Sequence, residues 1–362
     1  MKLAIVVGTR PEIIKMSPIV HRLLLVESLD WRFIHTWQHY SPELDQIFFE
    51  ELDLPLPDIN LGAGSWSHAK ITARIMLRLE KYFLEQFEPD VVVVQGDTDS
   101  VLAASLVAVK MGIKVAHVEA GLRSYDFRMP EEVNRRIVDH ISTFLFTPTQ
   151  HRASILAREG VDSAKMHVTG NTIVDAILSM TPKINLHQER VLKELDIQNE
   201  QYIFLTLHRK ENVDSPEILR DILEQVDKLS RDINKQIVFP IHPRTRKKIK
   251  EFGYYDLIKN WKVISPVGFL YSLILQKNSH MIFTDSGWLQ EEGCSLGKKI
   301  LVLRSSTERE EIIQNRCWAV AFRDFEGVKQ AYEYLLDLDS NFTNPFWDGK
   351  AAKRILKILW ID

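Results

Sequence analysis

Cysteine is scarce in this chain, because its 362 residues include only two, Cys294 and Cys317. Two cysteines exclude a disulfide framework and a cysteine-rich metal site, and they fit the reducing conditions of a cytoplasm. No two histidines lie four residues apart on a predicted helix, which is the spacing of a helical metal site. We therefore expect a cytoplasmic protein without a metal cofactor.

Long hydrophobic runs and a large net charge are also absent. The N-terminal run LAIVV (3–7) is soon followed by Arg10, so it is too short for a signal-peptide core or a membrane span. A formal net charge of -3 gives no electrostatic reason for nucleic-acid binding. A local basic run, RTRKKIK (244–250), is interpreted as a solvated helix face. The sequence therefore predicts neither a membrane nor a nucleic-acid partner.

What the sequence does contain is an alternation of short apolar runs with longer amphipathic stretches. The apolar runs are dense in Val and Ile without polar alternation, which is typical of parallel strands buried on both faces. They are 3–7, 90–95, 114–119, 144–149, 202–207, 236–241, 280–284 and 298–303. Because the pattern occurs in both halves of a chain too long for one core, it predicts two doubly wound α/β domains. The proline-containing segment 179–187 is the best linker candidate.

Charged and polar side chains follow one predicted strand after another. Ligands of parallel sheets bind beyond the carboxyl ends of the strands, so these residues are the candidates for a shared site. They are Arg10, Lys15, Asp97, Glu119, Arg123, Glu131, Glu132, Arg135 and Arg136 in the first half, and His208, Arg209, Glu211, His242, Asp285, Ser286, Arg304, Glu308 and Arg309 in the second. Two such edges facing each other across a cleft would bind an anionic, polyhydroxylated ligand, and a nucleotide sugar fits best.

Each of these residues also has a structural explanation when it is taken alone. Asp97 has the position of a helix cap, Glu131 that of an ordinary acidic first turn, and His208 that of a structural histidine. A dinucleotide is not favoured, because the first βα turn reads GTRPEI and lacks G-x-G-x-x-G. It is the recurrence of charged groups after successive strands that favours a common site.

The motifs around these residues, taken together and in order, resemble those of the non-hydrolysing UDP-N-acetylglucosamine 2-epimerases from residue 1 to about 356. They are VVGTRPEIIKMSPI, GDTDS, HVEAGLRS, PEEVNRR, VTGNTIVDA, HRKEN, DSGWLQEE and LVLRSSTEREE. The resemblance implies two Rossmann-like domains in the GT-B arrangement, facing a cleft. The first domain would span 1–170, with the C-terminal helix 348–362 packing back on it, and the UDP-binding domain would span 171–347.

The resemblance also implies an activity and its setting. Members of the family interconvert UDP-GlcNAc and UDP-ManNAc by eliminating UDP to form 2-acetamidoglucal and adding it back, without a metal or redox cofactor. The expected protein is a cytoplasmic homodimer that serves cell-surface polysaccharide biosynthesis. Three alternatives stay open: a hydrolysing UDP-GlcNAc 2-epimerase, an epimerase for another UDP-HexNAc, and a non-catalytic UDP-sugar-binding protein.

Roles in the reaction are implied residue by residue where the motifs match. The candidate acid/base groups are Asp97, Glu119 and Glu131, with His208 near the leaving diphosphate. Such groups suit the chemistry, because a positioned base must remove the weakly acidic proton of carbon 2 while cations stabilise the departing diphosphate. The candidate substrate contacts are Arg10, Ser286, Gly287 and Arg309 at the phosphates, Lys15 and Arg135 in the cleft, and Glu292 at the ribose hydroxyls.

Several tryptophans depart from the family pattern. Trp37, Trp288 and Trp347 stand where the family usually has glycine, and Trp66 is a looser case. Bacterial members of the family bind a second UDP-GlcNAc as an activator in a region matched by Gln38, His39, Arg209 and His242. Lys70 and Ile71 replace the Arg-Gln pair of that region. In one interpretation the indoles at 37 and 288 fill that regulatory pocket, with Trp288 pointing away from the diphosphate. The other interpretations are changed loop conformations, an altered substrate pocket, lost activity and a change in the sequence itself.

Overall fold

The computed structural model describes residues 1–38, 42–64, 66–303, 318–320, 325–338, 344, 346 and 348–359, with backbone alone for 42–46, 318–320 and 325. The chain divides into two compact units. The first unit comprises Met1–Ser179 and Phe346–Asp362, and the second comprises Met180–Pro345.

The first unit contains a parallel sheet. Its strands are β1 (Lys2–Val7), β2 (Asp30–His35), β3 (Ile59–Asn60), β4 (Val91–Gln95), β5 (Lys114–Val118), β6 (Phe144–Thr147) and β7 (Met166–Val168). Over the described residues the strand order is β3-β2-β1-β4-β5-β6-β7. The order reverses between β1 and β4, and ligands of doubly wound sheets bind at such a switch point, beyond the strand ends.

Helices connect these strands. They are α1 (Arg10–Leu23), α2 (Pro42–Glu51), α3 (His68–Glu85), α4 (Asp99–Lys110), α5 (Pro130–Ile141), α6 (Gln150–Arg158) and α7 (Thr172–Glu194), with a short 3₁₀ helix at Ser163–Lys165. The linker candidate 179–187 lies at the division between the two units, which falls between Ser179 and Met180. Its backbone is helical, because α7 runs through it and contains Pro182. Met180, Ile184 and Val191 form a buried stripe at helical spacing, and this burial outweighs the backbone hydrogen bond that the proline removes.

The second unit repeats the architecture. Its strands are β8 (Tyr202–Thr206), β9 (Gln236–Pro240), β10 (Lys262–Ile264), β11 (Met281–Thr284), β12 (Ile300–Val302) and β13 (Trp318–Val320), all parallel. Its helices are α8 (Lys210–Val213), α9 (Pro216–Asp232), α10 (Pro243–Phe252), α11 (Phe269–Lys277), α12 (Gly287–Ser295) and α13 (Phe325–Asp337), with a 3₁₀ helix at Tyr254–Ile258. Within the described part of the chain the strand order is β10-β9-β8-β11-β12-β13, so the switch point lies between β8 and β11.

Each unit has its own hydrophobic core, built from the strands that the sequence predicts. In the first unit, Val92 of β4 belongs to one buried cluster with Leu79 of α3. In the second, Leu205 of β8 belongs to another with Leu223 of α9. All of the predicted strands are confirmed, and so is the predicted α/β class with two doubly wound sheets.

The last helix, α14 (Ala351–Ile358), belongs to the first unit. The carboxylate of Asp175 on α7 accepts the backbone N–H groups of Ala351 at 3.1 Å and Ala352 at 3.0 Å, and so caps the start of α14. Arg354 donates to the carbonyl of Thr169 at 3.0 Å. The bonds to Asp175 satisfy backbone donors that a helix start otherwise leaves unpaired, and the bond from Arg354 satisfies a backbone acceptor.

Candidate active site

The turn between β1 and α1 lies so close to its neighbours that only glycine fits at position 8. A Cβ atom on Gly8 would lie 2.0 Å from Ser100 Oγ and 2.3 Å from Thr36 Oγ1, far inside van der Waals contact. The two hydroxyl groups are themselves hydrogen bonded at 2.7 Å. Arg10 follows as the first residue of α1, with its guanidinium 5.5 Å from the ring centre of Phe48. The GTRPE turn therefore packs directly against the start of α4.

Glu119, directly after β5, is held by a strained backbone and by two buried donors. Its φ angle is +69°, in the left-handed region that non-glycine residues seldom adopt outside functional sites and turns. Lys15 on α1 donates from Nζ to Glu119 Oε2 at 2.5 Å, and Gln95 at the end of β4 donates from Nε2 to the same oxygen at 2.6 Å. The structure thus brings together Lys15 and Glu119, which the sequence predicts as site residues. It adds Gln95, which the sequence analysis does not single out.

Asp97, in the loop after β4, is paired with Arg135 on α5. Arg135 approaches Asp97 Oδ2 with Nε at 2.9 Å and with Nη2 at 2.7 Å. Asn134 donates to the backbone carbonyl of Asp97 at 2.9 Å and fixes the loop. Asp97 is not a helix cap, because Thr98 is the N-cap of α4 and accepts the N–H of Val101. The side chain of Asp97 is 29% exposed, so its carboxylate is accessible while its cationic partner is buried.

Two adjacent glutamates at the start of α5 have different surroundings. Glu132 is buried and accepts from the Ser124 N–H at 2.8 Å, Arg135 at 2.9 Å and Arg136 at 3.0 Å. Burial would raise the pKa of Glu132, but the donors of Ser124 and Arg136 hold it below its ordinary value. Glu131 is half-buried, and its side chain has no hydrogen bond or ion pair in the described part of the chain. Its charge is favoured by the helix dipole, and its carboxylate is available.

Arg123 is a structural residue rather than a site residue. The sequence groups it with the charged side chains at the sheet edge, but the structure buries it, with Nη1 2.7 Å from Asp139 and Nη2 2.6 Å from Glu159. His117 in β5 lies 2.8 Å from Asp139 through Nδ1 and 2.8 Å from the Gly96 carbonyl through Nε2. Burial raises the pKa of Asp139, but His117 and Arg123 outweigh it and hold the pKa below its ordinary value. The network ties β5 and α5 to the loop after β4.

Glu12, in the first turn of α1, is a buried carboxyl group that the sequence analysis does not single out. It is 1% exposed, and its Oε2 accepts the N–H of Gly8. Its Oε1 is buried without a hydrogen-bond partner in the described ranges. Burial raises the pKa of Glu12 to about 7, because it outweighs the polar groups of Thr98, Gly8 and Thr9, and the charge of Asp97 raises it further. Glu12 is therefore partly protonated at neutral pH.

The raised pKa of Glu12 predicts how the stability of the protein depends on pH. The folded chain holds this proton more tightly than an unfolded chain, whose glutamate has its ordinary pKa of 4.5, so the free energy of unfolding falls as the pH rises from about 4.5 to about 7. The loss is at most about 3.5 kcal/mol, at about 1.4 kcal/mol per pKa unit. Glu12→Gln keeps the shape but cannot ionise. We expect its stability relative to wild type to increase with pH in urea unfolding.

Glu88→Gln is the matched control, because Glu88 is an exposed glutamate of the same unit. Its unfolding free energy should follow that of the wild type at every pH. A difference between Glu12→Gln and wild type that does not vary with pH would contradict the prediction.

In the second unit, His208 is oriented by a buried aspartate. Asp285, directly after β11, is fully buried and lies 3.0 Å from His208 Nδ1. The same carboxylate accepts the backbone N–H groups of His208 at 3.0 Å and Arg209 at 2.9 Å, and the amide of Asn212 at 3.2 Å. Burial raises the pKa of Asp285, but the donors of His208 and Arg209 hold it below its ordinary value. With Nδ1 turned to Asp285, Nε2 is the ring nitrogen that is left to meet a ligand.

The turn after Asp285 begins α12, with Ser286 as N-cap and Gly287 as its first residue. The N–H of Ser286 donates to Thr284 Oγ1 at 2.9 Å, and its side chain does not cap the helix. First-turn N–H groups left without a cap suit a phosphate group, as at many helix starts. Trp288 has an ordinary helical backbone, so nothing in the main chain demands glycine there. Its indole N–H is buried and has no hydrogen-bond partner within the described residues.

Glu292, the predicted ribose contact, lies on the same helix. It is 3% exposed, and its Oε2 accepts from Nε2 of the buried Gln276 on α11 at 2.5 Å. The amide therefore fixes the orientation of the carboxylate before any ligand is bound.

Gln38 and His242 of the predicted regulatory region have structural roles within their own units. Gln38 is buried, and its Oε1 accepts a backbone N–H of the first turn of α4 at 2.9 Å. His242 is the N-cap of α10 and accepts the N–H of Arg244 at 3.2 Å. Burial and the nearby His208 lower the pKa of His242. Arg209 is the N-cap residue of α8.

Trp37, Trp66 and Trp288, which depart from the family pattern, have different local environments. Trp37 has a φ of +62°, which glycine adopts readily and other residues seldom do. Trp66 is 53% exposed, and Lys70 and Arg74 lie 5.4 Å and 5.3 Å from its ring centre, within cation–π distance. Trp288 has neither feature. Ile71, next to Lys70, is buried.

Some predicted residues lie outside the part of the chain that the structure describes. They are His39, Arg304, Glu308, Arg309 and Trp347. The phosphate role of Arg309 and the regulatory role of His39 therefore stay predictions.

Among the described residues, no three His, Cys, Asp or Glu side chains lie together in a way that could hold a metal ion. None of the described helices has the length and apolar character needed to cross a membrane.

Nearly the whole chain matches known proteins. A family model described as UDP-N-acetylglucosamine 2-epimerase matches residues 23–360. The UDP-N-acetylglucosamine 2-epimerase of Methanocaldococcus jannaschii is 48% identical over 364 residues, which covers 99% of both chains. A crystal structure of the enzyme from that organism, in complex with UDP-GlcNAc and UDP, has a TM-score of 0.90 at 47% identity and 99% coverage of each chain. A UDP-2,3-diacetamido-2,3-dideoxy-D-glucuronate 2-epimerase of Pseudomonas aeruginosa is 35% identical over 316 residues, 86% of each chain.

The two parallel sheets and the structural match define an α/β enzyme of the GT-B fold class. The chain belongs to the UDP-N-acetylglucosamine 2-epimerase family, and it is therefore an isomerase. The family resemblance of the sequence motifs is thereby confirmed.

Proposed function

We propose that the enzyme interconverts UDP-GlcNAc and UDP-ManNAc by inverting carbon 2 of the sugar. The substrate is supported by the Methanocaldococcus jannaschii enzyme, which is named for this activity and was solved with UDP-GlcNAc and UDP. The observation that carries the proposal is the carboxylate set of the first unit. Glu119 accepts from Lys15 and Gln95, Asp97 is paired with Arg135, and the side chain of Glu131 has no partner among the described residues. Removing a proton from carbon and returning it requires positioned acid/base groups of this kind.

Inversion proceeds by elimination and re-addition. A carboxylate takes the proton from carbon 2, the electron pair forms a double bond to carbon 1, and the bond from carbon 1 to the diphosphate oxygen breaks. UDP and 2-acetamidoglucal result. The diphosphate oxygen then bonds to carbon 1 again while a proton is delivered to the opposite face of carbon 2. No electrons leave the substrate, so the steps need no redox cofactor. Asp97, Glu119 and Glu131 are assigned to the proton transfers as a set.

The second unit supplies most of the groups for UDP. N–H groups at the start of α12 suit the negative charge that develops on the diphosphate, and the ring of His208 is assigned to the same leaving group. Buried cations of the first unit, Lys15 and Arg135, add positive charge beside the carboxylates. The remaining proposed phosphate and ribose contacts are Arg10, Ser286, Gly287, Glu292 and Arg309.

The setting of the enzyme is proposed from the family resemblance. We assign it to the cytoplasm as a homodimer that supplies UDP-ManNAc for cell-surface polysaccharide biosynthesis, and the low cysteine content is compatible with that compartment. In the regulatory region, Trp37 and Trp288 are proposed to occupy volume that a second UDP-GlcNAc would need, so that no activator is required.

A second candidate is an epimerase for another UDP-HexNAc. The Pseudomonas aeruginosa relative supports it, because that protein is named for a UDP-linked diacetamido sugar acid. Its identity of 35% is lower than the 48% of the UDP-GlcNAc 2-epimerase, which favours the first candidate.

Proton NMR of the purified enzyme with each UDP-sugar in turn tests these proposals. With UDP-GlcNAc we expect an equilibrium mixture with UDP-ManNAc, and with UDP-2,3-diacetamido-2,3-dideoxy-D-glucuronate slower conversion. Faster conversion of the second sugar would favour the alternative substrate. Free N-acetylmannosamine and UDP as products would identify a hydrolysing enzyme, and no conversion of either sugar would point to a binding protein.

A further inference from the structure

Glu292 on α12 receives a hydrogen bond from Gln276, a buried glutamine of helix α11. Nε2 of Gln276 lies 2.5 Å from Glu292 Oε2 and 3.1 Å from Ser272 Oγ, so both hydrogens of its amide nitrogen have an acceptor. Gln276 is 0% exposed and Glu292 is 3% exposed, so water does not compete easily for these bonds. The bond therefore restricts how the carboxylate of Glu292 can turn.

The amide of Gln276 has one orientation that suits this contact. Turned by 180°, it would place its carbonyl oxygen against the carboxylate, and two acceptors cannot form a hydrogen bond with each other. The orientation in the structure leaves Oε1 of Gln276 buried without a hydrogen-bond partner among the described residues. Because an unpaired buried carbonyl destabilises a fold, stability alone does not explain this arrangement.

Gln276 is also an unusual residue for its surroundings. The three residues before it, Leu273, Ile274 and Leu275, are apolar and fully buried. Methionine has a similar length, and it would fill the position without a polar group that needs a partner. A glutamine at this position therefore indicates a role that requires its donor.

The chemistry of the proposed ligand supplies such a role. A carboxylate accepts hydrogen bonds from hydroxyl groups such as those at the 2′ and 3′ positions of ribose. If the carboxylate rotates freely in the absence of ligand, part of the binding free energy is lost in ordering it. A donor fixed by the protein reduces that loss. It does not reduce any loss for a nucleotide without these hydroxyl groups.

We propose that Gln276 is a positioning residue that holds Glu292 in the orientation that recognises the ribose of UDP, and that it thereby sets a preference for ribonucleotides over deoxyribonucleotides. The proposal rests on the proposed function, which assigns Glu292 to the ribose hydroxyls. Gln276 acts through Glu292 and takes no part in the proton transfers.

Three variants and a control test the proposal. Gln276→Met removes the donor and keeps the length of the side chain, Glu292→Met removes the carboxylate, and a double variant carries both changes. Gln198→Met is the matched control, because Gln198 is an exposed glutamine of the same unit. Each protein is titrated calorimetrically with UDP and with 2′,3′-dideoxy-UDP, and its fold is checked by circular dichroism.

We expect wild type to bind UDP about 100-fold more tightly than 2′,3′-dideoxy-UDP, the scale of hydrogen bonds to a charged group. Gln276→Met should weaken UDP binding by about tenfold and 2′,3′-dideoxy-UDP binding by less than about twofold, since only the ribose contact is loosened. The double variant should match Glu292→Met for both ligands, because Gln276 acts only through Glu292. Gln198→Met should match wild type.

An unchanged preference for UDP in Gln276→Met would overturn the positioning role. Equal weakening of both ligands would show a structural role only, and would overturn it too. So would a further loss of preference in the double variant relative to Glu292→Met, because Gln276 would then act by another route.

UDP binding does not depend on turnover, so the titrations separate this inference from the proposed reaction. If wild type shows the preference and Gln276→Met loses it, but wild type does not convert UDP-GlcNAc, the inference stands and the proposed reaction fails. If Glu292→Met keeps the full preference, Glu292 is not the ribose contact. The inference then fails, whichever sugar the enzyme converts.

Discussion

Replacing Glu119 by glutamine is expected to lower kcat for epimerisation by about 100-fold or more, the scale of a lost general acid or base. The amide has the same shape, and its carbonyl oxygen can still accept from Lys15 and Gln95, so the local structure should persist. What it cannot do is take a proton from carbon 2 or give one back. Steady-state kinetics with UDP-GlcNAc should therefore show a large fall in kcat and a small change in KM.

Glu88→Gln provides the control, because it makes the same chemical change on the surface of the same unit. Its kinetic constants should equal those of wild type. If Glu119→Gln retains near-normal kcat, Glu119 is not an acid/base group, and the buried arrangement with Lys15 is purely structural.

Replacing Arg123 by methionine is expected to cause the largest loss of stability. Both Arg123 and Asp139 have fully buried side chains, so the substitution takes the guanidinium away from the buried Asp139 carboxylate and leaves His117 as its remaining side-chain partner among the described residues. Breaking a buried pair in this way destabilises a protein by on the order of 3–5 kcal/mol, mainly through the uncompensated charge. Urea unfolding followed by circular dichroism should show this loss.

Arg128→Met is the matched control, since it removes another arginine–aspartate pair from the same stretch of chain. Arg128 is 90% exposed, and its bond to Asp126 is screened by water. Its unfolding midpoint should stay close to that of wild type. Equal effects of the two substitutions would mean that burial does not determine the strength of the Arg123 network.

The sequence predicts those strands whose apolar side chains are buried on both faces. β4 and β5 are of this kind, because continuous burial requires runs of valine and alanine that are visible in the sequence. β2, with the sequence DWRFIH, is missed because its first half is exposed or half-buried and carries charged residues. The helical course of 179–187 is missed for another reason: the burial of Met180 and Ile184 outweighs the local preference of Pro182, and burial depends on the rest of the fold.

The site residues also divide into those that the sequence predicts and those that it does not. The positions of Asp97 and Glu119 are predictable, since both follow apolar strands and the ends of parallel strands share one edge. The roles of Gln95, His117 and Glu12 are not. Gln95 meets a residue 24 positions away, and the burial that raises the pKa of Glu12 comes from segments distant in the chain. For Gln95 and His117 the sequence offers one signal, a polar residue within an apolar strand. This signal does not show which residue the side chain contacts.

The proposed mechanism requires that a proton is removed from carbon 2 and returned while UDP and the sugar stay on the enzyme. Running the reaction in D₂O with UDP-GlcNAc tests it most directly, with the sugar followed by proton NMR. We expect deuterium to enter carbon 2 of UDP-ManNAc and UDP-GlcNAc, and nearly all sugar to stay linked to UDP. Epimerisation without deuterium at carbon 2, or free N-acetylmannosamine formed as fast as the epimer, would contradict it.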